Sequence, residues 1–348
     1  MLQPTLRIDH AQLLAEIKTA TFVEPTRARV LCLRLLDSAR HGHDPEALIR
    51  AALQLSLIED QLGEVQEAAY ALVEALAHCE EFGFRALEAD VLEQLGRCHY
   101  TQGDYQPALD YWERCVRFCR GNPTLQRVQT QALVGIGQLC DACDDHEQAV
   151  RMHTAAHAQL DRIQDPYLSA MVKINLGYNQ YKIGDYTAAE TSLQAAIKLC
   201  REHTFPHHEA EALYRLAELR IAQAYPDEAA KLVADGLMLV CETPYHWGEV
   251  NLLSLHATLL ADQGAIEAAL QDTHRALDIA QHDGMRHLQV RLHEQAADYA
   301  AQAGKSALHD EHRRQGQQLR LHLDIVRPAR AAPRLGHLDN LLNADFKR

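Results

Sequence analysis

The stretch Leu176-Gly177-Tyr178-Asn179-Gln180-Tyr181-Lys182-Ile183-Gly184-Asp185-Tyr186-Thr187-Ala188-Ala189-Glu190 decides the fold. It predicts a helix that stops at Gly184 and a second helix that starts at once. Glycine just past a helix adopts the left-handed conformation that ends it at little steric cost. Asp185 is placed to cap the next helix and to meet the positive end of its dipole. The same turn recurs at Leu62-Gly63-Glu64-Val65, Gln102-Gly103-Asp104-Tyr105, Cys143-Asp144-Asp145-His146, Ala224-Tyr225-Pro226, Gln263-Gly264-Ala265-Ile266 and Ala303-Gly304-Lys305-Ser306. Taking positions 63, 103, 144, 184, 224, 264 and 304, the spacing is 40 residues, and once 41. A period of this length marks a repeat array in which each unit is one supersecondary motif.

Small residues keep the same register. Seven before the turn stand Ser56, Gly96, Gly137, Gly177, Ala217 and Ala257; five after it stand Ala68, Ala108, Ala149, Ala189, Ala229 and Ala269. Twelve after it stand Ala75, Cys115, Ala156, Ala196, Gly236 and Ala276. Two antiparallel helices approach closely only where such positions are small, and Leu72, Trp112, Leu193 and Val233 are placed to fill the space between. Asp145 with Gln148, and Glu64 with Glu67, have capping-box spacing. The chain is therefore expected to be all-α, an elongated solenoid of antiparallel helix pairs. Residues 1–45 read as a divergent N-terminal pair, broken near Val23-Glu24-Pro25, and residues 46–326 as seven units. In the last unit His309 replaces the expected alanine and the second helix turns polar, as suits a C-terminal cap. Residues 327–348 read as a basic, proline-containing linker followed by a short amphipathic motif with Leu338, Leu341, Leu342 and Phe346 at helical spacing. That tail carries five basic and two acidic residues in a chain of net charge −14, so docking in an acidic groove of its own or another copy is a candidate role.

Composition excludes several classes. A hydrophobic share of 47% with only 6% aromatics favours closely packed helices. An acidic chain lacks the basic face that phosphate neutralisation requires, so nucleic acid is not an expected partner. No window approaches 18 uninterrupted apolar residues and Met1–His10 has no signal-peptide pattern, so no membrane partner is expected. Nine cysteines scattered through helices point to a reducing cytoplasm. Cys140-x-x-Cys143 lacks the second pair a zinc site needs, and Cys115 and Cys119, one helical turn apart, read as core thiols too. His153 and His157 have a metal-sharing spacing but no third ligand in view, so a structural or surface pair is expected. The 21 histidines leave room for a pH-responsive surface. No phosphate loop, Gly-x-Ser-x-Gly elbow or dinucleotide fingerprint occurs. Hence no catalytic residue, metal or cofactor is expected, and the chain does not read as an enzyme.

The pattern Leu-Gly-x-x-x-Tyr-x-x-Gly-Asp-Tyr-x-x-Ala, present as Leu95-Gly96, Tyr100, Gly103-Asp104-Tyr105, Ala108 and as Leu176-Gly177, Tyr181, Gly184-Asp185-Tyr186, Ala189, resembles the tetratricopeptide repeat (TPR). The usual unit is about 34 residues. The longer unit here resembles members of the family found in bacterial signalling and regulatory proteins. The resemblance implies a right-handed superhelix whose first helices line a concave groove. It also implies a protein or peptide segment as partner, held by a non-catalytic scaffold or signalling adaptor. The alternative is a sensory module that binds a small effector or peptide and controls an output partner. Carried over position by position, the groove offers Gln94, Arg97, Tyr100, Gln131, Gln138, Asn175, Tyr178, Tyr181, Lys182, Tyr214, Arg215 and Glu218. Asn175 resembles the family's contact to a peptide backbone.

Overall fold

The chain's helices start and stop where backbone chemistry allows it. The computed structural model describes residues 9–21, 23–62, 65–241, 243, 245–326 and 332–343, and no described residue is in a strand. Two compact units result. The first holds α1 (His10–Ala20), α2 (Pro25–Gly42), α3 (Pro45–Leu62), α4 (Gln66–Phe82), α5 (Arg85–Thr101), α6 (Tyr105–Cys119), α7 (Gln126–Ala142) and α8 (His146–His157). The second holds α9 (Leu160–Ile163), α10 (Pro166–Lys182), α11 (Tyr186–His203), α12 (Pro206–Ala222), α13 (Pro226–Val240), α14 (His246–Asp262), α15 (Ile266–His282), α16 (Arg286–Gln302) and α17 (Ser306–Val326). Proline at the first helical position, as in α2, α3, α10, α12 and α13, gives up no hydrogen bond there. None of these helices is long and apolar enough to cross a membrane.

The turn register is the predicted one. Gly103, Gly184, Gly264 and Gly304 have φ of 75°, 84°, 80° and 72°, and Asp144 and Ala224 take the same left-handed conformation without being glycine. The turn at Gly63 and Glu64 lies outside the described residues. Asp185 and Asp145 cap as expected, accepting from Ala188 N and Gln148 N. Asp104 does not cap: its side chain makes no hydrogen bond to the first turn of α6. The second helix after Asp144 also differs from expectation, because it breaks into α8 and α9.

Within each unit the first helices touch one another, α3 against α5 against α7 and α10 against α12 against α14, while second helices pack mainly on first helices. The first helices thus form an inner layer and the second helices an outer one. The small-residue register carries this packing. Gly177 sits under Leu193, and a Cβ there would lie 2.7 Å from Leu193 Cγ. Leu72, Trp112, Leu193 and Val233 are all buried.

The tail packs in the first unit, but not in the inner groove expected for it. Helix α18 (Leu338–Asn343) lies against the outer layer. Arg151 of α8 binds both carboxylate oxygens of Asp339 at 2.7 and 2.9 Å, His337 meets Glu113 of α6, and Arg120 donates to the carbonyl of Leu341. Leu338 and Leu341 are buried and Leu342 is half-buried; Phe346 lies outside the described residues. The motif fits outside because its docking charges, Glu113, Arg120 and Arg151, stand on or next to second helices. Burying a leucine contributes about 1.5–3 kcal/mol. The double substitution Leu338→Ala, Leu341→Ala is therefore expected to free the tail, read as faster tryptic cleavage after Arg334 with unchanged circular dichroism. Cleavage at the parent rate would show that these leucines do not hold the tail.

Candidate functional site

The inner layer is where the sequence places its candidate residues, and the two units use it differently. In the first unit those residues largely satisfy one another. Glu93, buried at the centre of α5, accepts from Gln94 Nε2 at 2.7 Å and from Arg97 Nη2 at 3.1 Å. Ser56 in turn donates to Gln94 Oε1 at 2.9 Å. Tyr100 packs back on Tyr105 and Trp112, with centroids 5.6 and 5.8 Å away, so it serves the core as much as the surface. Gln131 accepts from Arg127 at 3.2 Å, and Gln138 is half-buried on α7. Burial pushes the Asp90 carboxyl up to about 6, and the charge of Glu93 adds to the effect.

In the second unit the candidates converge. The Arg215 guanidinium of α12 lies 3.9 Å from the ring centroid of Tyr178 on α10, 5.0 Å from Tyr214 and 5.7 Å from Trp247 on α14. Cation–π contacts of this kind strengthen as water is excluded. Glu218, one helical turn on, accepts from Arg215 Nη1 at 3.0 Å and from the Tyr214 hydroxyl at 3.1 Å. Arg215 Nε is buried and has no hydrogen-bond partner among the described residues. Burial works against the Arg215 charge, but Glu218, Tyr214, Glu211 and Tyr178 outweigh it and hold its pKa above the usual arginine value. Tyr214 and Trp247 meet edge to face at 6.3 Å, and Tyr245 lies 6.0 Å from Trp247.

Other predicted residues border this centre. Lys182 is exposed with its Nζ 5.9 Å from the Tyr178 ring, and Tyr181 leans on Tyr186. Asn175 is half-buried, and its Nδ2 donates to Met171 O of its own helix at 2.9 Å, which takes one of its two amide N–H groups.

Beside the Arg215 cluster a cleft of about 480 Å³ runs over α12, α14 and α16. Most of its walls are residues that sequence reasoning missed. Arg291 donates to Asn251 Oδ1 at 2.7 Å, and Gln295 Nε2 reaches Ser254 O, Thr258 Oγ1 and Tyr299 Oη at 2.9, 3.1 and 3.0 Å. The signal for Trp247 was there: the turn register places an aromatic or histidine ring at Tyr167, His207, Trp247 and His287, each 40 residues apart. Chemically the face offers flat rings, one stacked cation, and amides and hydroxyls at close spacing. Such a surface suits an extended peptide, with amides for its backbone and arginine for its carboxylates.

The metal readings sort simply. His153 is buried while His157 is exposed, so the two share no site; His153 is the structural member and His157 the surface one. Cys140, Cys115 and Cys119 are buried and unbridged. Among the described residues no three His, Cys, Asp or Glu side chains gather to hold a metal ion.

Residues 48–121 and 172–203 match models of the tetratricopeptide repeat. These two stretches are tetratricopeptide repeats (TPR). Response regulator aspartate phosphatase J of Bacillus subtilis (strain 168) is 25% identical to this chain over 135 residues, 39% of this chain and 34% of that protein. The match thus spans about a third of the relative's length. Among solved structures, the apo form of the quorum sensor NprR from B. thuringiensis has a TM-score of 0.69 at 13% identity, covering 90% of this chain and 88% of that one. Aspartyl phosphate phosphatase F from Bacillus subtilis has a TM-score of 0.65 at 14% identity, covering 92% and 85%. A Rap protein complexed with Competence and Sporulation Factor has a TM-score of 0.58 at 16% identity, covering 92% and 99%. At such identities the likeness is one of TPR fold.

Proposed function

We propose that this TPR chain is a non-catalytic signalling adaptor that binds a peptide or protein segment on the inner layer of its second unit. The observation that carries this reading is Arg215, stacked among Tyr178, Tyr214 and Trp247 beside a polar cleft. The acids of the inner layer support a binding rather than a catalytic role, because Glu218 and Glu93 are committed to their own arginines. Relatives in fold titled a quorum sensor and a Rap protein complexed with Competence and Sporulation Factor favour a regulatory setting, in which occupancy controls an output partner. Nine free thiols, most of them buried, fit a reducing cytoplasm.

The test is selection from a displayed random-peptide library on the full-length chain, followed by titration of the winners. Arg215→Ala is expected to weaken them 10- to 100-fold, as loss of a buried arginine anchor does. Arg215→Lys should recover part of that, since lysine keeps the charge but not the planar stack. Peptides that bind the Arg215→Ala chain as tightly as the parent would overturn this assignment.

A further inference from the structure

The docked tail shows what the outer layer of this fold can hold, and the second unit has a groove of the same build. Counted from the turn residues of positive φ, three of the side chains that hold the tail fall at fixed steps. Glu113 and Arg120 stand ten and seventeen residues after Gly103, and Arg151 seven after Asp144. The same steps from Gly184 and Ala224 reach Gln194, Arg201 and Lys231. Gln194 and Arg201 line a groove of about 490 Å³ between α11 and α13, over α12. Its floor is apolar: Ile197, Leu213 and Leu216 belong to one packed cluster, with Leu232 against it. Lys231, next to Leu232, is exposed.

We propose that the α11–α13 groove docks a short amphipathic helix of a partner protein, one with two leucines three residues apart and an acidic residue directly after the first. Three of the tail's polar contacts have a polar counterpart at the same step. Lys231 stands where Arg151 binds Asp339. Arg201 falls at the step of Arg120, which binds the Leu341 carbonyl, but stands inside α11 where Arg120 lies past the end of α6; its Nε donates to Glu209 at 2.6 Å. Gln194 offers an acceptor where Glu113 takes His337. The partner's helix is preferred to another copy's tail because each tail is tethered to its own chain. Tethering gives an effective concentration of roughly millimolar at the α6–α8 groove, which a free second copy does not match.

A labelled peptide with the sequence of residues 332–343 serves as the probe, titrated into the full-length chain and followed by fluorescence anisotropy. Saturable one-site binding is expected, weakened at least tenfold by Lys231→Glu and left unchanged by Arg151→Glu. Lys231 is exposed, so the variant should keep the parent circular dichroism. No saturable binding would overturn the proposal. So would loss on Arg151→Glu with none on Lys231→Glu, which would mean exchange at the tail's own groove. Sedimentation showing a self-associated chain that Lys231→Glu dissolves would assign the groove to a second copy and overturn the partner reading.

Discussion

Trp112→Ala is expected to destabilise the first unit by about 3–5 kcal/mol, the range for removing a large buried aromatic. Trp112 is 2% exposed and joins two consecutive helix pairs. Its indole Nε1 donates to Glu93 O of α5 at 3.1 Å. Its ring fills the space left by two glycines, Gly96 on α5 and Gly135 on α7. A Cβ at either would lie 2.5 or 2.4 Å from the ring. The converse substitution, Gly135→Ala, should therefore also destabilise, by about 1–3 kcal/mol through overpacking. In a repeat array stability is approximately a sum of unit and neighbour terms, so losing a side chain shared by two pairs removes both an internal and a neighbour contribution. Urea unfolding followed by circular dichroism checks both values. A midpoint within error of the parent for either variant would mean that the ring does not join these helices.

The second large effect is acid lability centred on histidine. His153 is fully buried, its two ring nitrogens have no hydrogen-bond partner among the described residues, and it occupies the space that Gly137 leaves open. Burial pushes its pKa down to about 3. His312 is pushed down to about 4 by burial, with His293 and His274 adding to the effect. These three rings form a chain, His312 Nε2 to His274 Nε2 at 3.1 Å and His312 Nδ1 to His293 Nδ1 at 2.9 Å. Their centroids are 5.2 Å apart in both cases, as for rings meeting head-on, so each contact shares a proton and leaves no room for a metal between the nitrogens.

The sign follows from linkage. Both folded pKa values lie below the unfolded value of about 6.5, so the unfolded chain binds more protons between them. Stability is full above pH 6.5 and falls as the pH drops toward 4 and then 3. By pH 5 His153 alone should cost about 2 kcal/mol, at about 1.4 kcal/mol per pH unit. His153→Met should flatten this slope, gaining about 2 kcal/mol on the parent between pH 7.5 and pH 5. Equal slopes for parent and variant in pH-resolved urea titrations would refute it.

The helix-pair architecture was legible because it rests on local chemistry. Turn glycines, Asp185, and alanine or glycine at Gly96, Gly177 and Ala189 act within one unit, so their spacing shows in one dimension. The tail's amphipathic motif was legible for the same reason. Its destination was not, because Arg151 and Glu113 are ordinary exposed-looking charges until α6 and α8 stand side by side. The burial of His153 was not legible either, because only the position of Gly137 on α7 reveals the pocket that holds it. On the inner layer Tyr178, Tyr214, Arg215 and Glu218 were found by register. Trp247, Asn251, Arg291 and Gln295 were missed because the units after residue 209 keep the register mainly through small residues. Asn175 was also placed by register, and the bond of its amide nitrogen to Met171 O was not legible in the sequence.

The central claim is that the ligand lies on Arg215 and Trp247. The chain has two tryptophans, and Trp112 is buried in the first unit, so tryptophan emission isolates the site. A peptide selected on the full-length chain should change that emission saturably. The change should vanish in Trp247→Phe, and Arg215→Ala should shift its midpoint at least tenfold to higher concentration. Tight peptide binding that leaves the emission of the parent untouched, with equal affinity for Arg215→Ala, would contradict the account.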